Sequence, residues 1–519
     1  MRRFATACGL SLLYASAYFL PFLTPYSLYF IPSFIDFIVL PSLVTILFLT
    51  PVILLASHAR VAPRVKYFLA AAAATLLTLI AIKSMFDAGG YPWIKLLSLF
   101  PAPASGHTLY GPRSGRVLLV GAALACAVLL VLRMRRRLPS LLGFLSTLGY
   151  AFLFLAIYRC YSADLFFMAQ DQTGPNAGVA QAGAPPAPRR VIWLIFDELD
   201  YALSLGAQAE AAPVLPHFAR LARQGNSATE ANTPSRDTLA SIPALLTGTP
   251  LTGVALKAGN QLILRDEKGR QSPFNAASSL FSRLPGGAQS ASVTGFYHPY
   301  CKVLPQLQSC HSTYLGNAGR WFDSLLFFSE ALFSALRQFH WSVRNMPEPL
   351  LFHFDPMYRV SINTLGRLDA TLGKRHNALD FIHLNVPHLP NVHTQRLLGQ
   401  RSVNEHQAYL NNLVGADQLL GRIMAALEAQ PDGQQVLLMV SSDHWLRTRS
   451  QKSASVPFIA WTVGATDGQS LARPFSTVHS ATLALDFLNG KLTSQADLLA
   501  QMSQTTFHPT WIPPDDYKY

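Results

Sequence analysis

Val191–Phe196 reads VIWLIF and runs directly into Asp197-Glu198-Leu199-Asp200. Six consecutive apolar residues have strand length, and the lack of alternation implies that both faces are covered, as in a parallel sheet between helices. Similar short runs recur at Phe381–Leu384, Val436–Val440 and Pro457–Trp461. Helix-like segments such as Val214–Arg223 and Asn404–Leu427 lie between them. This alternation predicts an α/β domain with a largely parallel central sheet over residues 190–519, long enough for one large core.

Ligands of such sheets gather beyond the carboxyl ends of the strands, so the residues after each run carry the functional information. Val191–Phe196 ends in Asp197 and Glu198. Val436–Val440 ends in Ser441-Ser442-Asp443-His444, and Phe381-Ile382 leads into His383 and then Pro387-His388. Carboxylates and imidazoles at three strand ends are a mixed oxygen and nitrogen donor set for a divalent metal. The simpler alternative is that these acids cap the following helices; Asp197 together with Asp443-His444 favours the metal.

Asn232–Gly248 reads NTPSRDTLASIPALLTG. Thr238 opens an apolar helical run that stops at Gly248, a natural C-terminal cap. A hydroxyl at a helix N-terminus faces unpaired N–H groups and the positive end of the dipole, which favours an alkoxide and a phosphate. An alcohol needs a base or a metal to become a nucleophile near neutral pH. The plainer alternative makes Thr238 only an N-cap.

Upstream, residues 1–165 are strongly apolar and carry fourteen Lys/Arg against three acids, whereas the remaining residues carry 27 basic and 25 acidic side chains. The net charge of +13 therefore belongs to the apolar third, and the nearly neutral remainder offers no basic stripe for nucleic acid. Five stretches approach the ~30 Å of a hydrocarbon core: Phe4–Leu23, Phe37–Ala56, Tyr67–Ile82, Val117–Leu132 and Leu138–Ile157. Arg2, Arg3, Arg60, Arg64, Lys66 and Arg133–Arg137 flank them on one side. Lys95, Arg113 and Arg116 in the third loop run against that bias. The best fit places the N-terminus inside and everything after the fifth span outside. Met1–Ala17 also fits a cleaved signal peptide, which would remove one span and leave the C-terminal domain on the same side. The expected domains are therefore a helical transmembrane domain over 1–158, a juxtamembrane segment and linker over 159–189, and the α/β domain. After the fifth span, Tyr158–Met168 reads as amphipathic and Gly174–Pro188 as a Gly/Ala/Pro linker.

With these motifs in view, the chain resembles the alkaline phosphatase/sulfatase superfamily, and within it the membrane-bound phosphoethanolamine transferases and lipoteichoic acid synthases. The resemblance implies a sulfatase-like α/β domain outside the membrane, one tightly bound metal and a threonine nucleophile. Thr233-Pro234-Ser235-Arg236 looks like the sulfatase Cys-x-Pro-Ser-Arg core, but that register puts the inert Asn232 at the nucleophile. In a second register Thr238, with Ser241 and Pro243 after it, matches the phosphoethanolamine transferase pattern, and Thr247-Gly248 match the close of the sulfatase motif. Thr238 is thus the expected nucleophile and a metal ligand, with Arg236 at most a substrate contact. By the same resemblance Asp197, Asp443 and His444 are metal ligands, with Glu198 a candidate further one. His388 is the expected phosphoryl or leaving-group histidine, with His383 and His393 as competitors. Lys452 stands where the transferases carry another histidine.

Five cysteines are present. Cys8 and Cys126 fall in spans, while Cys301 and Cys310, nine residues apart, can close a loop in an oxidising compartment. Spacing alone does not show that they meet. The expected activity is metal-dependent transfer of a phospholipid head-group phosphoryl unit, phosphoethanolamine or phosphoglycerol, to an envelope glycan or lipid through phospho-Thr238. Zn is preferred over Mn, and the expected location is a bacterial inner membrane with the catalytic domain on the periplasmic side. The rivals are a sulfatase-like phosphoester hydrolase and a catalytically inactive envelope-assembly protein.

Overall fold

The computed structural model describes residues 2–19, 40–58, 137–162, 187–206, 213–257, 261–313, 364–373, 375–388, 405–430, 433–447 and 455–513. Its contacts divide the chain into two units, an N-terminal helical one and an α/β one whose described residues begin at 187.

The helical unit contains α1 (Arg2–Phe19), α2 (Leu40–His58) and α3 (Leu138–Ser162). They cover most of the first, second and fifth expected spans, while the third and fourth, 67–82 and 117–132, lie outside the described residues. Among the described residues, one helix, Pro139–Tyr158, is long and apolar enough to cross a membrane. Helix α1 meets α3 backbone to backbone. A Cβ on Gly149 would lie 1.9 Å from the Gly9 carbonyl oxygen, so only glycine fits there. Polar side chains add to the packing: Ser11 Oγ lies 2.9 Å from Thr50 Oγ1, and Tyr150 donates to the Ala5 carbonyl at 2.9 Å. Phe4, Leu43, Leu47, Phe144, Phe154 and Tyr158 stay exposed.

The α/β unit is built on an eight-stranded sheet with spatial order β11-β2-β10-β9-β1-β8-β6-β7. The strands are β1 (Arg189–Asp197), β2 (Asn226–Asn232), β6 (Ala291–Phe296), β7 (Ser309–Thr313), β8 (Leu379–Pro387), β9 (Gln435–Ser442), β10 (Phe458–Thr462) and β11 (Ser470–Ser476). All neighbours pair in parallel except β10, which runs antiparallel to both β9 and β2. Strands β3 (Leu251–Lys257), β4 (Gln261–Asp266) and β5 (Gln271–Pro273) form a separate antiparallel sheet.

Ile192, Leu194 and Phe196 of β1 face α4 (Pro216–Gln224) and α6 (Glu405–Glu428), packing in one core with Phe218, Leu221, Leu413, Leu420 and Met424. On the other face α7 (Ser480–Leu488) packs against β1, followed by α8 (Gln495–Gln504). Burial on both faces is what the unbroken VIWLIF run encodes, and each such side chain contributes roughly 1.5–3 kcal/mol on leaving water. At the amino end of the sheet, fully buried Arg190 bonds Asp380 at 2.8 and 2.6 Å and the carbonyls of Leu372 and Thr371 at 3.0 and 3.2 Å. Asp380 also accepts Asn377 Nδ2 at 2.6 Å and the Ser292 hydroxyl, so the buried charges are fully paired. The register places Phe196 beside Ser442, so Asp197 and Asp443 leave adjacent parallel strands at the same level of the carboxyl edge. That is the geometric origin of the site.

Candidate metal centre

Helix α5 spans Thr238–Thr247, is buried along its whole length and ends at Gly248, whose φ of 68° is the left-handed cap. Asp237 is its N-cap residue, so Thr238 is the first helical residue and not the cap. Its hydroxyl lies 2.6 Å from Asp443 Oδ2 and 3.2 Å from His444 Nε2. One turn further, Ser241 donates to the Asp443 carbonyl at 2.6 Å and locks the helix to the β9 loop. Ser442 Oγ accepts the Leu199 N–H at 2.8 Å and lies 2.7 Å from the Phe196 carbonyl, tying that loop to the end of β1.

Asp197, Asp443 and His444 are all buried, and one ligand atom from each lies within 4.8 Å of the others. His444 Nδ1 lies 3.0 Å from the Trp445 carbonyl, which can only accept, so Nδ1 carries a hydrogen and Nε2 faces inward. Nε2 stands 3.5 Å from Asp197 Oδ1 and 3.4 Å from Asp443 Oδ2. Asp197 Oδ1 is buried without a hydrogen-bond partner among the described residues. Burial first, then the Asp443 and Glu198 charges, push the Asp197 carboxyl well above the usual range. Burial would also raise Asp443, but His444, His383 and the Thr238 hydroxyl outweigh it and hold that carboxyl low. Acceptor atoms crowded with an orphan oxygen, in a buried site, fit a divalent cation held by Asp197, Asp443, His444 and Thr238 Oγ1.

Glu198 has φ 62°, unusual outside glycine and costing about 1–2 kcal/mol. Its N–H donates to Asp443 Oδ1 at 3.3 Å, its carbonyl accepts Tyr409 OH at 2.7 Å, and Arg447 Nε donates to Oε1 at 3.0 Å. With Oε1 engaged by Arg447, the side chain stands beside the cluster of three rather than in it. His388 Nε2 lies 3.9 Å from Glu198 Oε2, and the His388 backbone N–H donates to the Asp197 carbonyl at 3.2 Å, which draws His388 to the rim. His383 sits inside β8, fully buried. Tyr300 OH lies 2.8 Å from its Nδ1, and Nε2 is without a hydrogen-bond partner among the described residues. Burial drives its imidazole down to about 4 despite the Asp443 charge. Arg236 is attached to the C-terminal segment through its backbone, whose N–H donates to the Trp511 carbonyl at 3.3 Å. Lys452 and His393 lie outside the described residues.

Three residues at the site were not singled out from the sequence. Arg447 bridges Glu198 and Asp237, with Nη1 3.5 Å from Asp237 Oδ1; its signal was a basic residue three positions after His444. His298 and Tyr300 follow β6, whose run ASVTGF is too rich in small and polar residues to be read as a strand. Cys301 and Cys310 are joined by a disulfide, with Cα atoms 5.4 Å apart.

The fold and the site define an α/β unit with a candidate metal centre at the carboxyl edge of a mainly parallel sheet. The solved structures similar to it include alkaline phosphatase superfamily proteins, among them a phosphoethanolamine transferase, sulfatases and phosphonate hydrolases. The soluble domain of lipooligosaccharide phosphoethanolamine transferase A from Neisseria meningitidis is 14% identical with a TM-score of 0.39, covering 62% of this chain and 94% of that one. The phosphonate monoester hydrolase from Silicibacter pomeroyi is 16% identical with a TM-score of 0.36, covering 58% and 73%. A protein in the alkaline phosphatase superfamily from Vibrio parahaemolyticus is 12% identical with a TM-score of 0.33, covering 58% and 68%. No protein-family model and no curated protein matches the chain.

Proposed function

We propose that the chain is a membrane-bound, metal-dependent transferase that moves a phospholipid head-group phosphoryl unit, phosphoethanolamine or phosphoglycerol, to an envelope glycan or lipid. The observation that carries this reading is the meeting of Thr238 Oγ1 with Asp443 Oδ2 and His444 Nε2, beside the unbonded oxygen of Asp197. A bound divalent cation, Zn by preference, would favour ionisation of the hydroxyl and polarise the phosphoryl oxygens.

The chain's own residues supply the remainder. The Thr238 hydroxyl proton already faces the Asp443 carboxylate at 2.6 Å. The N-terminal end of α5 favours the negative charge of an attached phosphoryl group. In the first half-reaction the Thr238 hydroxyl proton passes to Asp443, the Thr238 Oγ1–P bond forms, the P–O bond to diacylglycerol breaks, and the leaving oxygen takes a proton from His388. In the second, an acceptor hydroxyl gives its proton to His388 as its oxygen attacks phosphorus, the Oγ1–P bond breaks, and Thr238 Oγ1 takes its proton back from Asp443. A lipid donor suits the apolar N-terminal third, where large apolar side chains of α1, α2 and α3 stay exposed. Five spans, with the α/β unit on the periplasmic side of a bacterial inner membrane, fit the distribution of basic residues.

Mass spectrometry of lipid products, with and without an acceptor glycan, tests the reading. Diacylglycerol and a modified acceptor are expected together. Release of the free head group at the same rate whether or not acceptor is present would replace transfer by hydrolysis.

A further inference from the structure

The connection from β6 to β7 reaches the site at two points. His298 Nε2 lies 3.1 Å from the carbonyl oxygen of Thr238, an acceptor only, so the ring donates to the backbone of the proposed nucleophile. Two residues later, Tyr300 OH lies 2.8 Å from His383 Nδ1. Both side chains are fully buried. The same short segment thus holds the first turn of α5 and the orientation of a buried imidazole in β8.

The segment is held in turn by its own chain. Tyr300 N–H donates to the His298 carbonyl at 2.8 Å, and Ser312 Oγ of β7 donates to the same carbonyl at 2.7 Å. Cys301 adjoins Tyr300 and Cys310 lies two residues before Ser312, so their disulfide ties together the two pieces of chain that grip His298. Phe274 and Tyr300 wall the His298 ring, with centroids 5.7 and 5.8 Å away. A Cβ on Gly295 would meet Tyr300 Cε2 at 2.9 Å and His383 Cβ at 3.1 Å, so the absence of a side chain there lets tyrosine and histidine meet.

We propose that His298 and Tyr300 are positioning residues, with the Cys301–Cys310 disulfide as their staple: His298 fixes the backbone of Thr238 and Tyr300 fixes His383. The inference rests on Thr238 being the nucleophile. A reactive atom displaced by about 1 Å loses on the order of a hundredfold in rate while substrate binding elsewhere is kept. The effect therefore falls on kcat rather than KM.

The test uses the full-length protein in detergent and two readouts. His298→Phe keeps an aromatic ring and removes the donor, whereas His298→Gln keeps an N–H donor at similar reach. In His298→Phe we expect kcat to fall about 30-fold with KM within about twofold, and in His298→Gln to recover to within about fivefold of wild type. Amide hydrogen exchange over residues 237–245 should be faster in His298→Phe and in Cys301→Ser/Cys310→Ser, and near wild type in His298→Gln. Tyr300→Phe, which deletes one oxygen, should lower kcat without altering exchange in α5. Equal kcat in the Phe and Gln variants, or α5 exchange unchanged in both His298→Phe and the cysteine variant, would overturn the proposal. Absence of turnover in wild type with every phospholipid donor would count against the transferase reading, while the exchange data would still decide the positioning role.

Discussion

Replacing Asp197 by Asn should stabilise the metal-free protein and abolish its response to metal. The ligand atoms of Asp197 and Asp443 lie within 4.8 Å, so two ionised carboxylates there repel by about 3.5 kcal/mol at an effective dielectric of about 20. In wild type without metal, burial together with the Asp443 and Glu198 charges lifts the Asp197 carboxyl, which favours retention of a proton there and relieves part of this cost. The folded state then binds a proton that the unfolded chain releases above its ordinary carboxylate pKa. This group's contribution to stability falls as pH rises from about 4 through the lifted value. Asp197→Asn removes that dependence and should raise metal-free stability near pH 7 by roughly 1–3 kcal/mol. Wild type should gain about 2.7 kcal/mol at a Zn concentration a hundredfold above Kd, and the variant should gain almost nothing. Denaturant unfolding of chelator-treated protein can follow Trp193, Trp445 and Trp461, all buried in the α/β unit. A variant less stable than wild type without metal, or one stabilised equally by Zn, would refute the crowded-ligand reasoning.

Two further expectations separate the scaffold from the site. Asp380→Ala strands the fully buried Arg190 guanidinium and should cost about 3–5 kcal/mol, measured by denaturant unfolding; a loss below about 1 kcal/mol would show that the ion pair is replaceable. Gly295→Ala forces a Cβ against Tyr300 and His383 and should cost roughly 1–3 kcal/mol, with a loss of turnover in the fraction that folds; unchanged stability would show that the two rings yield.

Much of this organisation is written locally. Strands β1, β8, β9 and β10 coincide with apolar runs because burial on both faces requires them, and the strand-end rule leads from β1 and β9 to Asp197 and Asp443-His444. The start and stop of α5 follow from Thr238 and Gly248. Other features have no local signal. Strand β2 reads NSATEAN and β7 reads SCHST; they are held in the sheet by their neighbours rather than by propensity. The antiparallel direction of β10 depends on a connection, not on the composition of FIAWT. Arg447 and His298 became visible only when strands distant in sequence brought their loops to one edge. Glu198 follows Asp197 directly in the chain, yet its pairing with Arg447 is set by a loop 249 residues away and has no local signal.

The most direct measurement is the mass of the peptide carrying Thr238 after the protein, loaded with metal, is quenched during turnover of a native phospholipid donor without acceptor. We expect Thr238 to carry the transferred phosphoryl unit, the mass of the adduct to identify it, and Thr238→Ala to show neither adduct nor turnover. Sustained turnover with Thr238 unmodified, or full activity in Thr238→Ala, would contradict covalent exchange at this hydroxyl.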